Sequence, residues 1–225
     1  MNESRLRTVP LFEGLDDESL VSLDSLLTVK PYRKNNLIIF EDDRGLNLFI
    51  INKGRVKISQ ISEEGGEVIL AILGDGEFFG ELSVIDGLSR SATVTALDEV
   101  ELLVMNREEF LAALGKYPQI SIYLLRELAA RIRKSDQQIK SLSLRNAKGR
   151  VAATLIRLAE DIGRMKDGKV TIPELPLQRD LANIAGTSRE TISRVIASLE
   201  KENRCFKKDN ALVFEDFEKF KREYV

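Results

Sequence analysis

A chain of 225 residues, 43% apolar and 31% charged, is long enough for two ordinary domains and has the composition of a soluble globular protein. It holds no histidine and one cysteine, Cys205, which excludes an internal disulfide, a four-thiolate cluster, histidine-ligated haem and the commonest general base. The net charge of −2 is split unevenly: residues 1–144 carry 17 basic and 23 acidic side chains, residues 145–225 carry 17 and 13, so the C-terminal part is the one suited to a polyanion.

The opening "MNESRLRTVP" lacks the apolar core of a signal peptide, and no apolar run approaches the roughly 18 residues of a membrane span. A cytoplasmic protein without a membrane partner is expected. From about Thr28 to Asn106 short apolar runs ("NLIIF", "LNLFIIN", "RVKISQIS", "EVILAIL", "SATVTAL", "VELLVM") alternate with glycines. That texture predicts short antiparallel strands in a sandwich or barrel, with "EEGGE" as a hairpin turn.

Within this region "GELSVIDGLSRSA" gathers groups that suit a phosphate. Gly80 permits close backbone approach, Arg90 can fork onto phosphate oxygens, Ser91 is a short donor, and Glu81 can accept from a ribose hydroxyl. Leu82 and Val84 would anchor the turn to the core. The same residues also suit a plain corner in which Arg90 pairs with Glu81 or Asp86.

After Asn106, a good N-cap, "NREEFLAALGKY" predicts a short helix. Pro118 then opens a stretch free of Gly and Pro to about Leu144, read as one helix of about 27 residues and roughly 40 Å. Leu125, Leu128, Ile132, Ser135, Ile139 and Leu142 follow at alternating steps of three and four, the spacing of a coiled-coil seam, and so point to a homodimer. Ser135 interrupts the apolar line.

The third texture begins at Asn146, an N-cap for "GRVAATLIRLAEDI". "GRMKDGKV" is expected to be a loop. "QRDLANIAG" and "SRETISRVIASLEKEN", joined by "AGTS", have the spacing of a helix-turn-helix, with Gly186 at the sharp turn and Ser188 as N-cap. "RCFKKDNALVF" predicts a wing-like hairpin and "EDFEKFKREY" a final helix. In the second helix Ile192, Val195, Ile196 and Leu199 form the apolar face. Arg189, Glu190, Ser193 and Arg194 lie away from it near the N-terminal end, where such a helix meets the major groove. Arg suits guanine and Glu suits cytosine, while Ser188 and Thr191 suit phosphates. The alternative is a solvated face with Glu190 paired to Arg194.

Over nearly its whole length the chain resembles the CRP/FNR family of transcription regulators. "SRETISR" satisfies both the R-E-x-x-x-R and the E-x-x-S-R patterns of that family, which resemble readers of TGTGA-type and TTGAT-type half-sites. Phe79, Gly80, Glu81, Leu82, Arg90, Ser91 and Ala92 match its cyclic-nucleotide pattern, with Ser83 and Ser89 departing from it. The resemblance implies an α+β chain: an antiparallel β-roll effector domain (1–117), a dimerisation helix and hinge (118–145), and a winged helix-turn-helix (146–225). It implies no enzyme activity, no metal and no required cofactor. It also implies a palindromic duplex DNA as partner, RNA polymerase as a further one, and a cyclic nucleotide, foremost cyclic AMP, as effector. In cyclic-AMP receptor proteins the long helix presents a Thr-Ser pair to adenine, with an Arg four residues earlier; the matching positions here are Arg131, Ser135 and Asp136. Asp136 departs from that pattern, so the base stays open and a non-nucleotide anion also fits. A regulator with a vestigial pocket, controlled by abundance, is the alternative.

Overall fold

The computed structural model describes residues 4–166 and 168–224. They divide into two compact units, the first ending at Ile132 and the second beginning at Arg133.

The first unit is built on two four-stranded antiparallel sheets. One has the order β1 (Thr28–Tyr32), β8 (Val100–Asn106), β3 (Asn47–Lys53), β6 (Phe78–Phe79); the other has the order β2 (Leu37–Ile39), β7 (Thr93–Ala96), β4 (Val56–Ile61), β5 (Glu67–Leu73). Successive side chains on a strand point to opposite faces. Phe49, Ile51, Leu102 and Val104 therefore meet Val56, Leu73, Val94 and Ala96 of the other sheet, while Leu48, Ile50, Leu103 and Met105 face away. That second face is covered by helices, so β3 and β8 are buried on both sides and read as unbroken apolar runs.

The cover consists of 3-10 turns at Arg5–Thr8 and Pro10–Phe12, α1 (Asp17–Asp24), α3 (Arg107–Lys116) and the start of α4 (Pro118–Leu144). Leu6, Leu11 and Phe12 of the first turns are fully enclosed there. Their spacing gave no periodic signal, although Asp16 caps α1 by accepting from the Ser19 amide at 2.7 Å. Asn106 caps α3 as its position predicts.

The second unit packs α5 (Ala147–Ile162), α6 (Gln178–Ala185), α7 (Arg189–Lys201) and α8 (Phe217–Tyr224) against a four-stranded sheet. The strand order is β11 (Phe206–Lys208), β12 (Ala211–Phe214), β10 (Lys169–Ile172), β9 (Arg164–Lys166). The stretch expected to be a loop at 163–170 is thus largely a hairpin. Its strands of three and four residues are too short to show alternation, and β10 is held by burying Val170 and Ile172 in the core. The 206–214 hairpin forms around Asp209 in the left-handed region.

Cys205 is packed in this second core, and burial pushes its thiol from 9.0 up to about 12. The folded chain therefore keeps this proton through the range in which the unfolded chain loses it. This contribution to stability is complete below pH 9 and falls as pH rises from 9.0 toward about 12. Modification by a thiol reagent at pH 8 is expected to be at least about a hundredfold slower than in denaturant. Equal rates would show the thiol to be accessible.

Candidate effector pocket and nucleic-acid interface

The phosphate-type stretch folds as a short helix, α2 (Glu81–Asp86), bounded by Gly80 and Gly87, both in the left-handed region. Gly80, at φ +79°, has two reasons to lack a side chain. The conformation disfavours a Cβ, and a Cβ there would lie 2.6 Å from Arg90 Nη1 and 3.0 Å from the Asn47 carbonyl oxygen.

Arg90 is only 4% exposed. Its Nη1 donates to the Gly80 carbonyl and its Nη2 to the Asn47 carbonyl, each at 2.9 Å, and its guanidinium sits 5.6 Å from the Phe49 ring centroid. Gly45 lies so close to Nε that no Cβ would fit between them. Neither alternative partner is taken: among the described residues Arg90 forms no ion pair with Glu81 or Asp86. Burial lowers the Arg90 pKa, and the field of Glu81 opposes that. The result is a buried cation whose neighbours supply dipoles but no carboxylate in contact.

Glu81, 5% exposed, is joined instead to Arg131 of α4. Arg131 Nη1 donates to Glu81 Oε1 at 2.9 Å, Nη2 donates to the Phe78 carbonyl at 2.7 Å, and the guanidinium stacks 4.7 Å from the Phe78 ring centroid. Glu127, one turn earlier, steadies Arg131 at 3.2 Å. Gly80, Glu81, Arg90 and Arg131 are thus brought into one corner. Ser91 is exposed, and its carbonyl accepts from Gln60 Nε2 at 3.0 Å. Leu82 does not anchor the turn; the helical twist of α2 leaves it exposed and buries Ser83 and Val84. Ser135 and Asp136 are exposed on α4, four and five residues beyond Arg131.

On α4, Leu125, Ile132 and Ile139 are each about two-thirds exposed, and Leu142 less so, while Leu128 packs against the first unit's core. Three large apolar residues seven apart therefore face outward on one helix.

In the second unit, Gly186 closes α6 in the left-handed conformation, and Ser188 caps α7 by accepting from the Thr191 amide at 3.2 Å. Arg189, Glu190, Ser193 and Arg194 are exposed. Arg194 Nη2 donates to Thr191 Oγ1 at 3.2 Å, and no Glu190–Arg194 ion pair forms among the described residues. Hydrogen bonds from its own backbone and from Ser188 hold the Glu190 pKa below its ordinary value, so it remains a carboxylate.

One residue escaped the sequence reading. Arg150 of α5 donates to the carbonyls of Arg145, Ala185 and Gly186, each at 3.1 Å, which satisfies the end of α6 and fixes the turn before α7. Nothing local to "KGRV" signals this, because its two acceptors at the end of α6 lie 35 and 36 residues away.

No group of three or more potential metal ligands occurs among the described residues, and none of their helices is long and apolar enough to cross a membrane.

Two family models match the chain. Residues 29–117 match the family model of the cyclic nucleotide-binding domain, and residues 149–223 match the Crp-like helix-turn-helix domain. The chain is 35% identical over 193 residues to the cyclic AMP receptor protein of Thermus thermophilus, covering 86% of each chain. It is 29% identical over 212 residues to the CRP-like cAMP-activated global transcriptional regulator of Mycobacterium tuberculosis, covering 94% of this chain and 95% of that one. The solved structure of a CooA mutant from Carboxydothermus hydrogenoformans superposes with a TM-score of 0.80, covering 100% and 97% at 20% identity, which speaks to the fold. With a cyclic nucleotide-binding β-roll, a long helix and a Crp-like helix-turn-helix in one chain, the protein belongs to the CRP/FNR family of transcription regulators.

Proposed function

We propose that this regulator is a cytoplasmic homodimer, not an enzyme, that binds a palindromic operator under the control of a cyclic nucleotide held at Gly80, Glu81, Leu82, Arg90, Ser91 and Arg131. One observation carries the effector reading: Arg90 is a buried cation met by carbonyl dipoles and no contacting carboxylate, lying against a glycine whose missing side chain makes room for it. Burying a charge is costly unless it is compensated, and a cyclic phosphate supplies the missing charge. Glu81, held in place by its hydrogen bond from Arg131, accepts from the ribose. The names of the relatives favour cyclic AMP as the nucleotide. Ser135 and Asp136 would meet the base. Asp136 accepts from an adenine or guanine amino group and cannot donate, so it contributes to the choice of base.

The exposed apolar line of Leu125, Ile132, Ile139 and Leu142, with Leu128 shared with the core, forms the dimer seam, because isolated apolar residues seven apart are otherwise left in water. Each α7 then presents Arg189, Glu190, Ser193 and Arg194 to one major groove, with Ser188 and Thr191 on phosphates. RNA polymerase is the downstream partner.

Calorimetric titration with cyclic AMP, cyclic GMP and a cyclic dinucleotide tests the pocket; saturable binding of one is expected, and no heat at millimolar concentration from any would leave the vestigial pocket standing. For the DNA face, Arg194→Ala is expected to weaken binding to a specific palindrome by about 1–3 kcal/mol with little effect on random duplex. An equal loss on both would reduce Arg194 to a phosphate contact.

A further inference from the structure

A cavity of about 330 Å³ opens within the second unit, walled by the C-terminal half of α4, by α5, by the end of α6 and by Lys221 of α8. Its lining carries six cationic side chains, Lys134, Lys140, Arg145, Arg150, Arg157 and Lys221, against two carboxylates, Glu160 and Asp161. Both carboxylates are already committed. Asp161 accepts from Lys134 at 2.8 Å, and Glu160 accepts from Lys221.

Four cations therefore remain with no carboxylate in contact among the described residues. Arg150 donates only to backbone carbonyls, and Arg145 donates to the Tyr224 carbonyl. Arg157 is the most telling. It is partly buried, its Nη1 donates to Gln138 Oε1 at 2.8 Å, and its pKa is lowered by burial with only the through-space field of Asp161 opposing. Carbonyls and amides meet the geometry of a guanidinium but do not neutralise it. Leu142, Ala153, Ile156, Ile184 and Ala185 supply apolar wall between the charges. Concave shape, partly apolar lining and a few convergent charges are what small-ligand sites share.

We propose that this cavity is a second anion site, taking a small phosphorylated ligand with two or more negative charges that bridges Lys140 and Arg145 to Arg150 and Arg157. Because the walls come from both sides of the 144–147 joint, an occupant would tie the end of α4 to α5 and stiffen that joint. The site is separate from the Glu81–Arg90 corner and does not depend on it. The recognition helix α7 contributes none of the lining, so the ligand is a free small molecule and not the operator backbone.

The test is calorimetric titration of the full chain with tripolyphosphate at fixed ionic strength, without DNA. One saturable site per chain is expected. Arg157→Gln should weaken it about tenfold, the weight of a lost charge-assisted hydrogen bond, and Arg157→Lys should restore part of the loss. Lys140→Gln, at an exposed position that leaves the core untouched, should weaken it by a smaller factor and serves if Arg157→Gln does not fold. Arg90→Lys should leave tripolyphosphate binding unchanged. The proposal is overturned by no saturable binding, by affinity unmoved by both Arg157→Gln and Lys140→Gln, or by loss in Arg90→Lys, which would place the anion in the β-roll. Loss of binding in an Arg189→Ala, Arg194→Ala chain would instead assign the anion to the DNA face and equally sink the idea.

Discussion

Replacing Arg90 by alanine is expected to remove the stabilisation that a cyclic nucleotide confers and to lower the stability of the first unit by about 2–4 kcal/mol. The second effect follows from how the side chain is held. Arg90 donates to the carbonyls of Gly80 and Asn47 at 2.9 Å. Each buried carbonyl left without a donor costs roughly 1–3 kcal/mol, partly offset by removal of a desolvated cation. Arg90 is thus a brace of the corner as well as the proposed arm toward phosphate. Arg90→Lys separates the roles, because it keeps the charge and loses the fork. Urea unfolding reads the stability loss, and thermal melting with and without millimolar cyclic AMP reads the ligand effect. A ligand present at about 100 times its Kd adds about 2.7 kcal/mol, so its disappearance is measurable. An Arg90→Ala chain that still melts higher with nucleotide, by the same interval as the parent, would remove Arg90 from phosphate binding.

Phe214→Ala is expected to cost the second unit about 3–5 kcal/mol. Phe214 is fully buried, with ring centroids 4.9 Å from Phe220 and 5.6 Å from Phe217. It joins β12 to α8, and Phe220 carries the contact on to Tyr224 at 5.1 Å. For a unit of this size the loss corresponds to about 15–30 °C in Tm. The hydrophobic cores of the first unit involve residues 6–128, and that of the second involves 151–224. Calorimetry should therefore show one transition falling while the other, and the nucleotide response, stay in place, and operator binding should fail at 37 °C. A displacement under about 5 °C would show that the aromatic cluster is not what holds the unit.

The features legible in the sequence are those settled within a turn or a strand. Asn106, Asn146 and Ser188 each accept from an amide three residues on, so the caps of α3, α5 and α7 could be read from spacing alone. The 27 residues of α4 were readable because nothing between Pro118 and Leu144 breaks a helix. The strands β3 and β8 announced themselves by continuous apolar runs, and family resemblance located Gly80, Glu81 and Arg90.

Amino-acid order alone thus determined α3 to α8, most of the strands, the helix-turn-helix and the types of residue gathered around Gly80, because each depends on backbone propensity and neighbours within a few positions; α1 and the short helix α2, in a stretch read as a turn, were not legible there. Tertiary structure alone decided which groups these residues serve. Glu81 takes Arg131 fifty residues away, Arg90 takes a carbonyl 43 residues earlier, and Arg150 reaches the α6 terminus 35 and 36 residues on. It also decided that β9 and β10 pair and that the 3-10 turns at residues 5–12 enter the core. Long flexible side chains settle on whatever polar groups the packed backbone leaves unpaired, and short strands form only when a neighbouring strand and a core receive them, so neither choice exists until the chain has folded.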